Sequence, residues 1–157
     1  MSKISPCLWF DGQAEEAARL YTSLFSDASI GAIGRYGENM PFPAGTAMMV
    51  EFTLAGQSFQ ALNGGPQFRF TEAISMSVSC ADQDEVDHFW NALTEGGTPS
   101  RCGWLKDRFG VSWQIVPQTM ARLQNLGDPA ATGRMMRAMM QMSKLDVATL
   151  ERAYRGD

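Results

Sequence analysis

Apolar positions along the chain follow two periods that alternate. Ile4 to Phe10 is a short apolar run closed by Asp11-Gly12, which predicts a strand and a turn. From Gln13 to Phe25 the spacing of Ala14, Ala17, Leu20, Tyr21 and Leu24 is helical. Glu15 and Glu16 stand in the first turn, where the helix dipole favours acids, so the segment predicts an amphipathic helix laid on the strand. Ser29 to Tyr36, Thr46 to Leu54 and Gln57 to Leu62 read as three strands, separated by the Gly/Pro-rich loop Gly37 to Gly45 and a turn at Ala55-Gly56. The first module is β-α-β-β-β.

Asn63 to Thr71, with two glycines and Pro66, is a connector. Ile74, Met76 and Val78 then alternate with Ser75, Ser77 and Ser79 up to Cys80, a half-buried strand whose polar face carries small side chains. Asp82 or Asp84 can cap the next helix, which runs to about Glu95 and stops at Gly96-Gly97. Thr98 to Arg101 has room for a short strand. Cys102 to Asp107 and Val111 to Val116 form a final hairpin around Arg108-Phe109-Gly110. Beyond Pro117 the pattern is helical only: Thr119 to Asn125, Pro129 to Ser143 and Asp146 to Tyr154, with Pro129 suited to a first turn and Asp146 to a cap.

The two modules share a sequence frame. Gly56-x-Ser58-Phe59-Gln60-x-Leu62 returns as Gly110-x-Ser112-Trp113-Gln114-x-Val116. Glu16-Ala17-x-x-Leu20-Tyr21-x-x-Leu24 returns as Glu85-Val86-x-x-Phe89-Trp90-x-x-Leu93, in the same order along the chain. Two ordered matches imply an internal duplication. The expected organisation is α+β: paired modules over 1–117 (about 1–63 and 72–117) and a helical extension over 118–157.

Composition narrows the classes. A chain of 157 residues, 45% hydrophobic and 19% charged, can bury a sizeable core. A net charge of -4 without a basic run argues against nucleic acid as partner. No apolar stretch approaches the roughly 20 residues of a membrane span, and the first residues lack a signal-peptide pattern, so a cytoplasmic protein without a membrane partner is expected. Three cysteines without a C-x-x-C spacing fit reduced thiols. Met135, Met136, Met139, Met140 and Met142 read as pliable packing against the core or a second subunit, with a promiscuous peptide groove as the alternative.

Two β-α-β-β-β modules carrying W-F-D-x-x-x-E-E-A-x-x-x-Y (from Trp9) and C-G-W-L-K-D-R-F-G-V-S-W-Q-I-V-P (from Cys102) resemble the vicinal oxygen chelate superfamily of glyoxalases, bleomycin-resistance proteins and dioxygenases. The match looks closest to its PhnB-like branch, whose members are often labelled 3-demethylubiquinone-9 3-methyltransferase. The resemblance covers residues 3 to 117 and extends into the tail. It implies curved sheets around a ligand cleft, modules commonly paired within or between chains, which points to a homodimer here, and in many members a divalent metal held by His or Glu on the first and last strands of each module. Aligned here, those positions are Pro6, Gln60, Ala73 or Ser75, and Gln114, a poor donor set, so no metal or other cofactor is expected. His88, the single histidine, falls on the polar face of its helix and reads as a solvent-exposed bystander.

Gln60 and Gln114 hold equivalent positions. Strand alternation puts them opposite Phe59 and Trp113, and the resemblance points the amides to the cleft. They bond either each other, strand backbone, or a ligand. Asn63, Ser75 and Ser77 can add polar groups to that cleft, and Leu8, Phe10 and Trp104 an apolar wall. Trp9, Trp90 and Trp113 are assigned to packing. Cys102 lacks a histidine base nearby in sequence and reads as an inert thiol, which leaves the catalytic residues unknown. Gly31-x-x-Gly34 lacks the context of a Rossmann nucleotide site, so the methyltransferase label finds no support in the residues. Two functions follow: a metal-free protein binding an unknown small organic ligand, or a metal-dependent lyase, isomerase or dioxygenase of the same superfamily.

Overall fold

A computed structural model describes residues 2–157. The chain divides into two units, the first ending at Phe70 and the second spanning Thr71–Asp157. Both are built on the same β-α-β-β-β order, so the fold is α+β with a helical extension.

In the first unit, β1 (Cys7–Phe10) leads into α1 (Ala14–Leu24), followed by β2 (Ala28–Arg35), β3 (Ala47–Leu54) and β4 (Gln57–Asn63). The sheet order is β1-β4-β3-β2, with β1 parallel to β4 and the other pairs antiparallel. Ala14, Ala17, Ala18 and Tyr21 are the buried stripe of α1. Tyr21 meets Phe52 of β3, which stacks on Phe59 of β4 at 5.3 Å between centroids. Three alanines in the stripe let this helix lie close on the sheet.

α1 opens at Gln13, whose side chain makes no capping bond. The cap comes from Asn63 at the far end of β4. Its Oδ1 accepts from Ala14 N at 3.0 Å, and its Nδ2 donates to the Ala47 carbonyl at 2.8 Å. One buried amide thus satisfies an orphan helix donor and a strand carbonyl together.

In the second unit, β5 (Met76–Cys80), α2 (Gln83–Thr94), β6 (Thr98–Pro99), β7 (Trp104–Lys106) and β8 (Ser112–Pro117) repeat the plan, with order β5-β8-β7-β6 and β5 parallel to β8. Of the two candidate caps, Asp82 makes the bond, accepting from Glu85 N at 2.9 Å. Val86, Phe89, Trp90 and Leu93 form the buried stripe of α2, and Val78, Leu105, Trp113 and Ile115 the buried face of the sheet. The registers coincide: Cys7 pairs with Gln60 and Glu51 with Gln60, as Ser77 pairs with Gln114 and Trp104 with Gln114. The duplication is therefore written in strand pairing as well as in sequence.

Three helices complete this unit: α3 (Gln118–Gln124), α4 (Pro129–Met139) and α5 (Val147–Arg155). Met120, Leu123, Met135, Leu145 and Leu150 form a buried cluster, and Met136, Met139 and Met142 pack on it. The methionine-rich segment is mostly core filler; Met140 alone of its run is well exposed, at 57%. The helix expected to reach Ser143 ends at Met139. The reason is that Met142 and Ser143 turn their carbonyls to the second module, accepting from Cys102 N at 2.8 Å and Gly103 N at 2.9 Å. Asp146 stands at the N-cap of α5 but makes no capping bond to the backbone. Gln83 of α2 does that work: its Oε1 accepts from Val147 N at 2.8 Å while its Nε2 donates to the Leu145 carbonyl at 3.1 Å.

Candidate functional site

Each sheet has one face under its helix and one open face, and register sorts the candidate residues between them. In the first unit the covered face carries Leu8, Phe10, Phe59, Ala61 and Asn63, all buried. Leu8 and Phe10, expected as apolar wall of the cleft, and Asn63, expected as one of its polar groups, therefore lie instead in the helix-side core. Phe10 packs edge-on against Phe70 at 5.1 Å, and both ends of the Asn63 amide are used by α1 and β3. The error lies in parity: residues 8 and 10 are apolar because a helix covers them.

The open face of that sheet carries a different set. Gln60, half-buried, lies between Cys7 on β1 and Glu51 on β3, both exposed. The neighbour of Gln60 is thus Cys7, where alignment to the resembled family suggested Pro6. Trp9 lies on this face too. Its indole N–H donates to the Gly65 carbonyl at 2.9 Å and its ring meets Phe68 edge-on at 5.0 Å. A Cβ on Gly64 would fall 2.4 Å from that ring, so the glycine is what lets Trp9 lie down on the connector.

In the second unit the expected residues do come together. Register places Ser77, Trp104 and Gln114 in one row across β5, β8 and β7 on the open face. Gln114 Nε2 donates to Ser75 Oγ at 2.9 Å, which fixes the carboxamide and leaves its Oε1 as an acceptor. Trp113, one residue away, is 1% exposed on the other side, as alternation requires.

Beside this row runs a groove of about 700 Å³. Trp104, Lys106 and Ser112 reach it from β7 and β8, Arg101 and Cys102 from the loop before β7, and Glu72 from the segment before β5. Lys106 and Glu72 form an ion pair, and the Lys106 ammonium hydrogen-bonded to it holds the Glu72 carboxyl below its ordinary pKa. Cys102 occupies a left-handed conformation, φ 60°. Ser112 is 1% exposed, and among the described residues its hydroxyl has no hydrogen-bond partner. Arg101, Lys106 and Ser112 escaped sequence reasoning: the two cations look like ordinary surface charges, and Ser112 like one member of a repeated frame.

The donor chemistry does not fit a divalent metal of the kind the resemblance implies. One row offers a thiol, an amide and a carboxylate; the other offers a hydroxyl, an amide and an indole. Among the described residues, no three His, Cys, Asp or Glu side chains gather at one point. His88 is exposed on α2, its ring edge-on to Phe89. Burial raises the Cys80 thiol to about 12, which keeps it protonated and unreactive at neutral pH. Among the described residues no helix is long and apolar enough to cross a membrane.

A family model described as 3-demethylubiquinone-9 3-methyltransferase matches residues 2–116. Among solved structures, the PhnB protein of Bacillus cereus is 38% identical with a TM-score of 0.70, the match covering 74% of this chain and 99% of that one. A Pseudomonas aeruginosa protein is 24% identical with a TM-score of 0.63, over 74% of this chain and 98% of that one. A glyoxylase/bleomycin resistance protein/dioxygenase domain of Frankia sp. is 17% identical with a TM-score of 0.46, over 74% and 92% respectively. No curated protein matches the chain.

Proposed function

The chain belongs to the family described as 3-demethylubiquinone-9 3-methyltransferase, the PhnB-like group of the glyoxalase/bleomycin resistance superfamily, and on that premise we propose that it binds a small, partly apolar organic molecule. The observation that carries this reading is the open face of the second sheet, where Trp104, Gln114, Ser75 and Ser77 lie together beside a groove of about 700 Å³. An aromatic wall with a few fixed polar groups is the usual make-up of a small-molecule site. Ser75 holds the Gln114 amide in place before any ligand arrives, so little ordering is left to be done on binding. Gln60 is the first unit's counterpart, on the open face of its own sheet.

The reading is of binding without a metal. A methyl transfer, which the family description names, has no visible seat: each four-stranded sheet has a single parallel pair and lacks the glycine-rich strand-to-helix turn of a Rossmann nucleotide site.

Native mass spectrometry of the purified protein tests the proposal, together with thermal melts of Gln114→Leu, Gln60→Leu, Ser75→Ala and the Gln114/Ser75 double variant. A small molecule bound to the wild type should be lost from the Gln114→Leu variant. Removing Gln114 alone strands a half-buried Ser75 hydroxyl, a cost of about 1 kcal/mol that the double variant recovers. A Gln114→Leu protein that keeps the same molecule at the same occupancy would overturn the binding role.

The protein is further proposed to be a homodimer in the cytoplasm. β2 is an edge strand of the first sheet, interrupted by irregular register, and Ile4, Phe68, Ile74 and Leu126 each leave most of an apolar side chain in solvent. Strand edges and exposed apolar groups of this kind are what subunit contacts cover.

A further inference from the structure

We propose that the groove of the second unit is selective for a carboxylate on a flat apolar body, with Ser112 and Arg101 as its anion-binding groups and Trp104 as its wall. The inference deepens the binding role proposed above and rests on it, since Trp104 belongs to both the open-face row and the groove.

Ser112 lines the groove, and its hydroxyl is buried with the rest of the residue and has no acceptor or donor among the described residues. Among the described residues it is the one buried side-chain polar atom left so, and a buried hydroxyl without a partner is costly enough to need an explanation. A ligand oxygen in the groove supplies one. The surrounding charges choose the kind of oxygen. Lys106, which pairs with Ser112 across β7 and β8, is already neutralised by Glu72. Arg101 makes no ion pair among the described residues, and it reaches the same groove. The groove therefore carries one surplus positive charge on a planar, forked donor that matches a carboxylate.

Position favours this arrangement over a mobile surface arginine. The loop bearing Arg101 is anchored on both sides: Ser100 N donates to the Trp104 carbonyl at 2.9 Å, Ser143 Oγ to the Ser100 carbonyl at 2.5 Å, and Cys102 N to the Met142 carbonyl at 2.8 Å. The left-handed Cys102 that follows sets the direction in which the chain leaves Arg101.

The test titrates ¹⁵N-labelled protein with benzoate and with its neutral isostere benzamide, following the Trp104 indole N–H, assigned with Trp104→Phe. Benzoate should shift this signal and bind about tenfold more tightly than benzamide. Arg101→Gln should reduce benzoate to the level of benzamide without changing benzamide. Ser112→Ala should weaken both probes several-fold, because a hydroxyl serves either carbonyl oxygen, while leaving the free protein at least as stable as the wild type. Equal binding of the two probes would overturn the carboxylate assignment. Unchanged binding in Ser112→Ala would mean that its hydroxyl meets only water, and would overturn the role given to it. An unmoved Trp104 signal, in a protein whose Gln114→Leu variant still loses its co-purified molecule, would sink this inference alone. Benzoate binding with the co-purified molecule unaffected by Gln114→Leu would sink the open-face reading instead.

Discussion

Trp113 donates its indole N–H to Asp107 Oδ2 at 2.9 Å, inside a hairpin that buries both side chains. The other carboxylate oxygen accepts from Phe109 N at 2.9 Å and from Val111 N at 3.0 Å, so Asp107 ties the turn together and fixes the tryptophan on the covered side of the sheet. By fixing Trp113 it also fixes which way Gln114 faces. Asp107→Ala should lower stability by about 3 kcal/mol, since three donors lose a charged acceptor and one of them is a buried indole. Asp107→Asn, which keeps one acceptor oxygen, should lose less. Urea unfolding followed by tryptophan fluorescence measures both, and an alanine variant within about 0.5 kcal/mol of wild type would contradict the assignment.

The helical tail gives a pH prediction. Lys144 lies 2.8 Å from Asp87 of α2, and its hydrogen bond, with a second from Gln83, lowers the Asp87 pKa in the folded state. A depressed carboxyl contributes stability above its unfolded pKa and loses that contribution as pH falls through the folded value. The pair is partly exposed, so the contribution is below about 1 kcal/mol. Wild type should therefore exceed Asp87→Asn slightly at pH 7, and the difference should vanish as pH falls through the lowered folded value, below the ordinary carboxyl range. A difference that persists into strong acid would show that the amide disturbs packing instead.

No stoichiometric zinc, nickel, iron or manganese should accompany the purified protein. Gln60 and Gln114 themselves offer amides where a metal site needs carboxylate or imidazole, and among the described residues no three His, Cys, Asp or Glu side chains gather at one point. Elemental analysis decides it: one metal per chain, lost on changing either glutamine to alanine, would restore the metal-dependent reading.

Light scattering at micromolar concentration should return twice the single-chain mass. A monomer at that concentration would leave β2 and the exposed Ile4, Phe68, Ile74 and Leu126 without the subunit contact proposed for them.

Much of this molecule is legible in its sequence because local signals agreed. Period-2 and period-3.6 stretches, glycine punctuation and the repeated Gly-x-Ser-aromatic-Gln frame all point to two equal modules, and strand register repeats the equivalence. Which face of the first sheet is open was not legible. Leu8 and Phe10 alternate correctly with Trp9, but alternation carries no sign, and only the seating of α1 reveals that the even positions are core. Asn63 was out of reach for a related reason. Its partners Ala14 and Ala47 lie 49 and 16 residues away, whereas capping rules look a few residues ahead. The same distance hides Gln83 behind the more obvious Asp146 at the start of α5.

The two backbone bonds from Cys102 and Gly103 to Met142 and Ser143 have a consequence for motion. Neither amide can exchange its proton with solvent until the strap after α4 lifts, so the lip of the groove and the end of that helix open in a single event. Their exchange rates should rise and fall together. Whatever grips the tail will therefore slow the breathing of the groove, though it touches no residue inside it.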